Sequence, residues 1–195
     1  MSAIEEVFRR IQMMFGRGRV TYVDDSGSVQ KVQVRLSGLE TSDNRLRMME
    51  FGFTSNPPDG TDVLALHISG DRSAGTVFAT NHQQSRPRGL QGGETMLYSQ
   101  DGKYVYMTAS GGISVFANGQ PVNVTGATTV TINASTEVLM DTPILKCTGD
   151  IIDNCNTNTD TMATMREDYD THGHPVVNVQ TGGSTITTGT PTVPM

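Results

Sequence analysis

The chain has 195 residues, of which only 35% are hydrophobic and 6% aromatic, and tryptophan is absent. These fractions are low for a globular protein of this length, in which apolar residues approach about half, so we expect a small core or burial against other copies of the chain. The net charge of −6 comes from residues 96–195, which have 3 Lys+Arg and 9 Asp+Glu; this acidity argues against nucleic acid as a partner.

Targeting signals and disulfides are not visible in the sequence. No apolar run approaches the roughly 20 residues needed to cross a bilayer. Charged residues stand near the N-terminus where the apolar part of a signal peptide would lie. We therefore expect synthesis in, and retention by, a cytoplasm. Cys147 and Cys155 are predicted to be reduced, half-buried packing residues rather than a disulfide or a metal pair.

Residues 1–16 are predicted to form an N-terminal amphipathic helix. Ser2 suits the N-cap, and Glu5 follows three residues later, as a capping box requires. Apolar residues recur with the spacing of one helix face, at Ile4, Val7, Phe8, Ile11 and Phe15. Gly16 and Gly18 are expected to end the helix. Its polar face is mixed rather than basic, which favours packing on the next domain or a neighbouring subunit over a membrane surface.

Residues 17–95 are predicted to form a small β domain. Strand-like stretches occur at 19–23, 29–36, 63–68 and 76–80. Val32, Val34 and Leu36 are expected to face inward, and Asn56–Gly60 is a strong turn signal. Five short strands that close on themselves indicate a Greek-key barrel of the OB-fold type. Many such barrels bind single-stranded nucleic acid, but this segment is charge-neutral and has few aromatic residues in its strands.

The composition changes after about residue 95. Residues 96–195 contain 19 Thr, against 7 in the first 95. Short strands with apolar residues inward and Thr, Asn or Ser outward are predicted around 104–106, 113–115, 122–124, 130–134 and 138–140. One copy of this segment cannot make a globular core, and its open edges would aggregate. We predict that residues 96–168 of several chains wrap round one axis as an intertwined β-helix or β-prism, since a monomeric solenoid would need more regular repeats.

Residues 169–195 contain the pair His172 and His174, which is the candidate functional site. In an extended run, side chains at i and i+2 point to the same side, so both imidazoles face one way across Gly173. Two neutral imidazoles make half of a metal site. Residues 160–169 allow a short helix or an extended segment. The tail after Pro175 is either a disordered terminus or a short strand folded around the histidine pair.

Two groups of residues carry a family resemblance. The first comprises Gly75–Asn81, Arg86–Leu90, Gly93–Tyr98 and Asp101–Lys103. The second comprises Cys147–Ile151, Asp153–Asn154, Asn158–Thr159, Met162, Met165–Arg166, Tyr169 and His172–Pro175. In this order they resemble the central tail spike of Mu-like contractile-tailed bacteriophages, of the baseplate assembly protein V type. The resemblance extends from about Gly16 to Pro175.

The resemblance implies an all-β homotrimer. Each chain would supply an N-terminal OB-fold barrel, followed by an intertwined β-helix that tapers to a metal-bound apex. The spike would sit at the tail baseplate tip, below the hub and tail tube protein, and contraction would drive it through the host outer membrane. The resemblance also implies one iron ion per trimer, held by His172 and His174 of three chains, and it associates a calcium ion with the spike. Gly173 stands where Thr is more usual in the family, which leaves the ligand set unchanged.

Coordination chemistry favours the same ligand set. Three chains round an axis bring six imidazoles to one centre, and six nitrogens suit Fe(II) or Ni(II) better than zinc, which is usually four-coordinate. A filled shell leaves no open position, so the metal should be structural. Asp168 and Asp170 either orient the imidazoles or are simply exposed. His67 and His82 are predicted to be structural.

Enzyme motifs are not found: there is no nucleophile elbow, zincin motif, P-loop or dinucleotide fingerprint. Asp24-Asp25 and Glu167-Asp168 read as solvated carboxylates rather than an acid/base pair. No catalytic or cofactor-binding residue is predicted. A membrane-piercing spike is the preferred function, a host-receptor-binding fibre tip is the alternative, and a hydrolase built on the histidine pair is a more distant third.

Overall fold

A computed structural model describes residues 2–177 and 185–191. The chain divides into two units, Met1–Gly126 and Ala127–Met195. The helices are α1 (Ala3–Met13) and α2 (Met162–Thr171), with a 3-10 turn at Ile68–Gly70. The strands are β1 (Phe15–Asp24), β2 (Lys31–Arg35), β3 (Thr41–Arg47), β4 (Asp62–His67), β5 (Gly75–Asn81), β6 (Thr95–Tyr98), β7 (Tyr104–Met107), β8 (Ile113–Phe116), β9 (Pro175–Val177) and β10 (Thr185–Thr187). Sheet predominates and helices are few, which is compatible with the all-β class.

Helix α1 begins with the capping box that the sequence indicates. The Ser2 hydroxyl accepts from the Glu5 N–H, and the Glu5 carboxylate accepts from the Ser2 N–H at 2.8 Å. The helix ends at Met13, so the prediction that Phe15 continues its apolar face is wrong. Phe15 instead begins β1 and pairs with Leu66, because the glycines that follow it suit the close strand pairing of the barrel.

Strands β1 to β5 form a closed barrel in the order β1-β2-β3-β5-β4, with β4 pairing back to β1. The β3–β5 pair is parallel and the other pairs are antiparallel. The buried apolar core is small and consists of Val20, Val32, Val34, Val63, Ala65 and Val77. Leu36 lies just beyond β2 and packs against this core while partly exposed. Four of the five barrel strands correspond to predicted stretches, and Val32 and Val34 of β2 are buried as predicted.

Strand β3 was not among the predicted stretches. Its buried positions are the polar residues Ser42 and Arg47, which are each 7% exposed. An apolar alternation is therefore absent, although the strand pairs with both β2 and β5. Hydrogen bonds, rather than apolar burial, satisfy these two side chains inside the barrel wall.

Strands β6, β7 and β8 form a separate three-stranded antiparallel sheet. The register places Leu97, Val105 and Val115 side by side on one face. The other face has Tyr104 stacked on Phe116, with ring centroids 5.2 Å apart. Leu97 is 52% exposed and Val115 is 63% exposed. Both faces of this sheet are therefore apolar, and the first is left open in the single chain.

Residues 117–161 contain neither helix nor strand. The stretches predicted as strands at 122–124, 130–134 and 138–140 form no backbone ladder with any described residue. Their apolar side chains are exposed, among them Val122, Val124, Val130, Ile132, Val138 and Met140. Cys147 and Cys155 are free and exposed, so their predicted half-burial is wrong for the single chain. Among the described residues, no helix has the length and apolarity to cross a membrane.

Candidate metal centre

Helix α2 ends directly before the histidine pair. Thr161 caps the helix by accepting from the Thr164 N–H at 3.1 Å. At the other end, the Thr171 hydroxyl donates to the Glu167 carbonyl at 2.8 Å. His172 is the C-cap: its N–H donates to the Asp168 carbonyl, while its own ψ of 147° is extended. The chain therefore leaves the helix at the first histidine. Of the two alternatives for residues 160–169, a short helix or an extended segment, the structure has the helix.

The His172 imidazole is held by the last turn of α2. Its Nδ1 lies 2.6 Å from the Tyr169 carbonyl oxygen, and its ring centroid is 5.4 Å from the Tyr169 ring. Since a carbonyl only accepts, Nδ1 carries the proton in this contact, which leaves the Nε2 lone pair for a ligand bond. The sequence left Asp168 and Asp170 either as orienting groups or as exposed carboxylates; the contact to His172 Nδ1 comes from the Tyr169 backbone.

The His174 backbone is held by the returning tail. Its N–H donates to the Thr188 hydroxyl at 2.8 Å, and its carbonyl accepts from the Thr188 N–H at 2.9 Å. Strands β9 and β10 pair next to these bonds, with Pro175 opposite Thr187. Of the two readings of the tail, residues 185–188 follow the folded one; residues 178–184 and 192–195 lie outside the described part.

The two imidazoles lie together and are accessible. Their ring centroids are 4.9 Å apart with an interplanar angle of 83°, and both residues are exposed. Gly173 between them faces the tail: a Cβ there would lie 3.0 Å from Thr187 Cγ2 and 3.1 Å from the Thr188 carbonyl oxygen. The structure therefore brings the predicted pair together on one exposed side of a turn that has little room for a side chain.

The donor set of one chain is incomplete as a metal site. In residues 2–177 and 185–191, no three or more His, Cys, Asp or Glu side chains group so that they could hold an ion. Imidazole nitrogen suits iron, nickel, copper or zinc, and His172 already has the outer hydrogen bond that such ligands usually make. The residues thus fit a transition metal that is shared among copies of the chain. One chain offers two candidate ligands, His172 and His174.

The other titratable groups considered in the sequence analysis make local structural contacts. His67 is 1% exposed in the barrel wall, where burial and the neighbouring Arg72 and Arg45 lower its pKa. His82 Nδ1 contacts the Ser85 hydroxyl at 2.6 Å. The Asp24 carboxylate accepts from Ser26 in a solvated turn, and these hydrogen bonds lower its pKa. None of these contacts pairs an acid with a base across a cleft.

Tyr169 and Thr188 are the site residues that sequence reasoning missed. Thr188 carries no local signal, because its contact with His174 joins positions 14 apart in the sequence. The Tyr169 contact has a signal: a helix C-terminus leaves unpaired carbonyls within reach of the next side chains.

Fold and site together define a class of protein: a β protein with a closed five-stranded barrel, a segment at 117–161 without helix or strand, and an exposed histidine pair. Residues 17–84 match the family model described as Bacteriophage Mu Gp45, N-terminal. The chain is 27% identical over 145 residues to the baseplate puncturing device gp45 of Escherichia phage Mu, covering 74% of this chain and 68% of that protein. The predicted resemblance to the spikes of Mu-like phages is therefore confirmed.

A second relative comes from a bacterial genome. The chain is 29% identical over 115 residues to the Mu-like prophage FluMu protein gp45 of Haemophilus influenzae. This match covers 57% of the chain and 63% of the relative, which is less than two thirds of its length. The family-model match, at residues 17–84, lies in the part of the chain that forms the barrel.

Proposed function

We propose that this chain forms the central spike at the baseplate tip of a contractile phage tail, where it punctures the host envelope. The name of the phage Mu relative, a baseplate puncturing device, supports this role. So does the match of residues 17–84 to the Gp45 family model. The role is mechanical, and none of the described residues is assigned a catalytic step.

The observation that carries the proposal is the unpartnered segment after β8. Residues 117–161 have exposed apolar side chains and no ladder of their own. Buried backbone groups and apolar side chains need partners, and in a thin segment only other chains can supply them. Three copies wound round one axis as a β-helix would satisfy both requirements. The open face at Leu97, Val105 and Val115 would pack toward the same axis.

The N-terminal unit would serve as the collar. Its strand order, β1-β2-β3-β5-β4 with a parallel β3–β5 pair, supports an OB-fold barrel. We infer that this half contacts the hub or tail tube protein, and that the opposite end meets the host outer membrane. Nucleic acid is not among the expected partners, because the excess charge of the chain is negative.

The tip would be pinned by a metal. His172 and His174 of three chains would provide six imidazole nitrogens, a donor set suited to one octahedral iron ion. When bound, the ion would cross-link the three chains at the tip. Tyr169 would keep the His172 proton on Nδ1, so that Nε2 faces the ion. The calcium association implied by the family resemblance has no assigned residues.

Mass and metal content, measured together on the purified protein, test this proposal. Native mass spectrometry should give a trimer, and elemental analysis should give one iron per three chains. The variant with His172→Ala and His174→Ala should lose the metal and keep the trimer, because residues 96–160 would hold it. A monomer, or a double variant with its full metal content, would contradict the proposal.

A further inference from the structure

We propose that Thr188 and strand β10 act as a clamp that positions His174 for metal binding; this rests on the metal-bound tip proposed above. The C-terminal clamp is defined here as residues 185–188. The clamp contacts the backbone of His174 and not its imidazole ring. Thr188 is therefore a positioning residue rather than a ligand.

The clamp holds both backbone polar groups of His174. The Thr188 hydroxyl accepts from the His174 N–H at 2.8 Å, and the Thr188 N–H donates to the His174 carbonyl at 2.9 Å. The β9–β10 ladder continues directly from this pair, with Thr187 opposite Pro175 and Thr185 opposite Val177. A ligand whose backbone is already fixed loses less conformational freedom when the metal binds, so its affinity is higher.

Close packing at Gly173 seats the clamp. A Cβ at this position would lie 3.0 Å from Thr187 Cγ2 and 3.1 Å from the Thr188 carbonyl oxygen. A side chain would therefore require Thr187 and Thr188 to shift by a few tenths of an ångström. The bare backbone of Gly173 is what allows the tail to lie against this turn.

The two histidines are anchored by separate devices. His172 is fixed by the end of α2, through the Tyr169 carbonyl. His174 is fixed by the tail, which returns from the other direction along the chain. The rings nevertheless meet with their centroids 4.9 Å apart. Loss of the clamp should thus release one ligand of each chain while leaving the other in place.

The test compares Thr188→Val with Thr190→Val in the full-length protein. Valine keeps the shape of threonine and removes the hydroxyl that accepts from His174, whereas Thr190 is exposed and outside these contacts. Competition with a chelator should show Fe(II) affinity about tenfold lower for Thr188→Val, the usual scale for losing a group that orients a ligand, and unchanged for Thr190→Val. Gly173→Ala should weaken binding in the same direction.

A second readout does not depend on metal. In the metal-free protein, hydrogen exchange of the His174 amide should be slow in the wild type and in Thr190→Val, and faster in Thr188→Val. Wild-type affinity and wild-type exchange in Thr188→Val would overturn the clamp while leaving the tip site standing. A wild-type protein that binds neither Fe(II) nor Ni(II) would overturn the tip site, and the positioning role with it.

Discussion

His67 is a buried imidazole with an unsatisfied nitrogen in the barrel wall. It is 1% exposed, and its Nδ1 has no hydrogen-bond partner in the described chain. Its backbone N–H donates to the Met14 carbonyl at 2.7 Å, which ties the end of β4 to the residue after α1. Burial lowers the pKa of this ring below its ordinary 6.5, and the positive charges of Arg72 and Arg45 lower it further.

Protonation of His67 should make the barrel less stable in acid. The unfolded chain binds this proton with an ordinary pKa near 6.5, while the folded barrel resists it. The contribution of neutral His67 to the free energy of unfolding is therefore complete above pH 6.5. It is lost as the pH falls toward the lower pKa of the folded state. Urea unfolding followed by circular dichroism between about pH 7.5 and pH 5 should show that the urea midpoint of the wild type decreases as the pH falls.

The variant His67→Gln isolates this proton. Glutamine does not titrate, so the midpoint of the variant should change less over the same pH range. Comparison at pH 7.5 separates the packing cost of the substitution, which falls on a ring flanked by Gly16 and Gly75, from the effect of protonation. Equal pH slopes in both proteins would assign the acid sensitivity to other groups.

At the scale of elements, the loop between β3 and β4 depends on one buried guanidinium. Arg47 donates from Nη1 to the Gln30 Oε1 at 2.7 Å and to the Ser55 carbonyl at 2.6 Å. Its Nη2 donates to the Ser55 hydroxyl at 2.9 Å and to the Thr80 hydroxyl at 3.2 Å. The tip of the loop is open, since Phe51 is fully exposed, whereas Pro57 and Thr61 near its end are buried. Arg47 thus fastens a loop that has little apolar packing of its own.

Arg47→Lys should loosen this loop. A single ammonium cannot reproduce the forked contacts, and the loss of buried hydrogen bonds should cost about 1–3 kcal/mol. Chymotrypsin should then cut at Phe51 or Phe53 several times faster than in the wild type, because cleavage follows local opening. Arg86→Lys is the matched control, since Arg86 is exposed and outside this network. Equal cleavage rates in the two variants would show that Arg47 does not anchor the loop.

Prediction from sequence succeeded where the signal is local. Val32 and Val34 alternate with polar residues, so β2 could be located, and Ser2 with Glu5 marked the start of α1. Strand β3 could not be located, because hydrogen bonds within the folded barrel are what make Ser42 and Arg47 acceptable inside. Apolar spacing assigned Phe15 to the helix, although strand pairing with Leu66 places it in β1.

The candidate site divides in the same way. His172 and His174 could be paired from sequence because they are two positions apart, and the structure brings their rings together. Thr188 could not, because only the return of the tail places it beside His174. The number of chains that share the pair follows from neither ring geometry nor local spacing, so the trimer and its iron stay proposals.

At the scale of the whole molecule, the exposed apolar side chains of residues 117–161 bear on whether the chain assembles with other copies. Val130 is 63% exposed and Ile132 is 64% exposed, and both stand in a stretch without ladder partners. Thr131 between them is also exposed in the single chain. In a shared β-helix, alternate residues would point to opposite sides, so Ile132 would face the common core and Thr131 the solvent.

Ile132→Asp and Thr131→Asp should therefore differ in assembly. Both variants add one negative charge to neighbouring positions, and only the first would place a carboxylate in the shared core, where an unpaired charge costs several kcal/mol in each chain. Light scattering after size exclusion should give a trimer for Thr131→Asp and a loss of trimer for Ile132→Asp. If Ile132→Asp stayed trimeric with unchanged thermal stability, this stretch would not lie in the core, and the apolar side chains after β8 would need another partner.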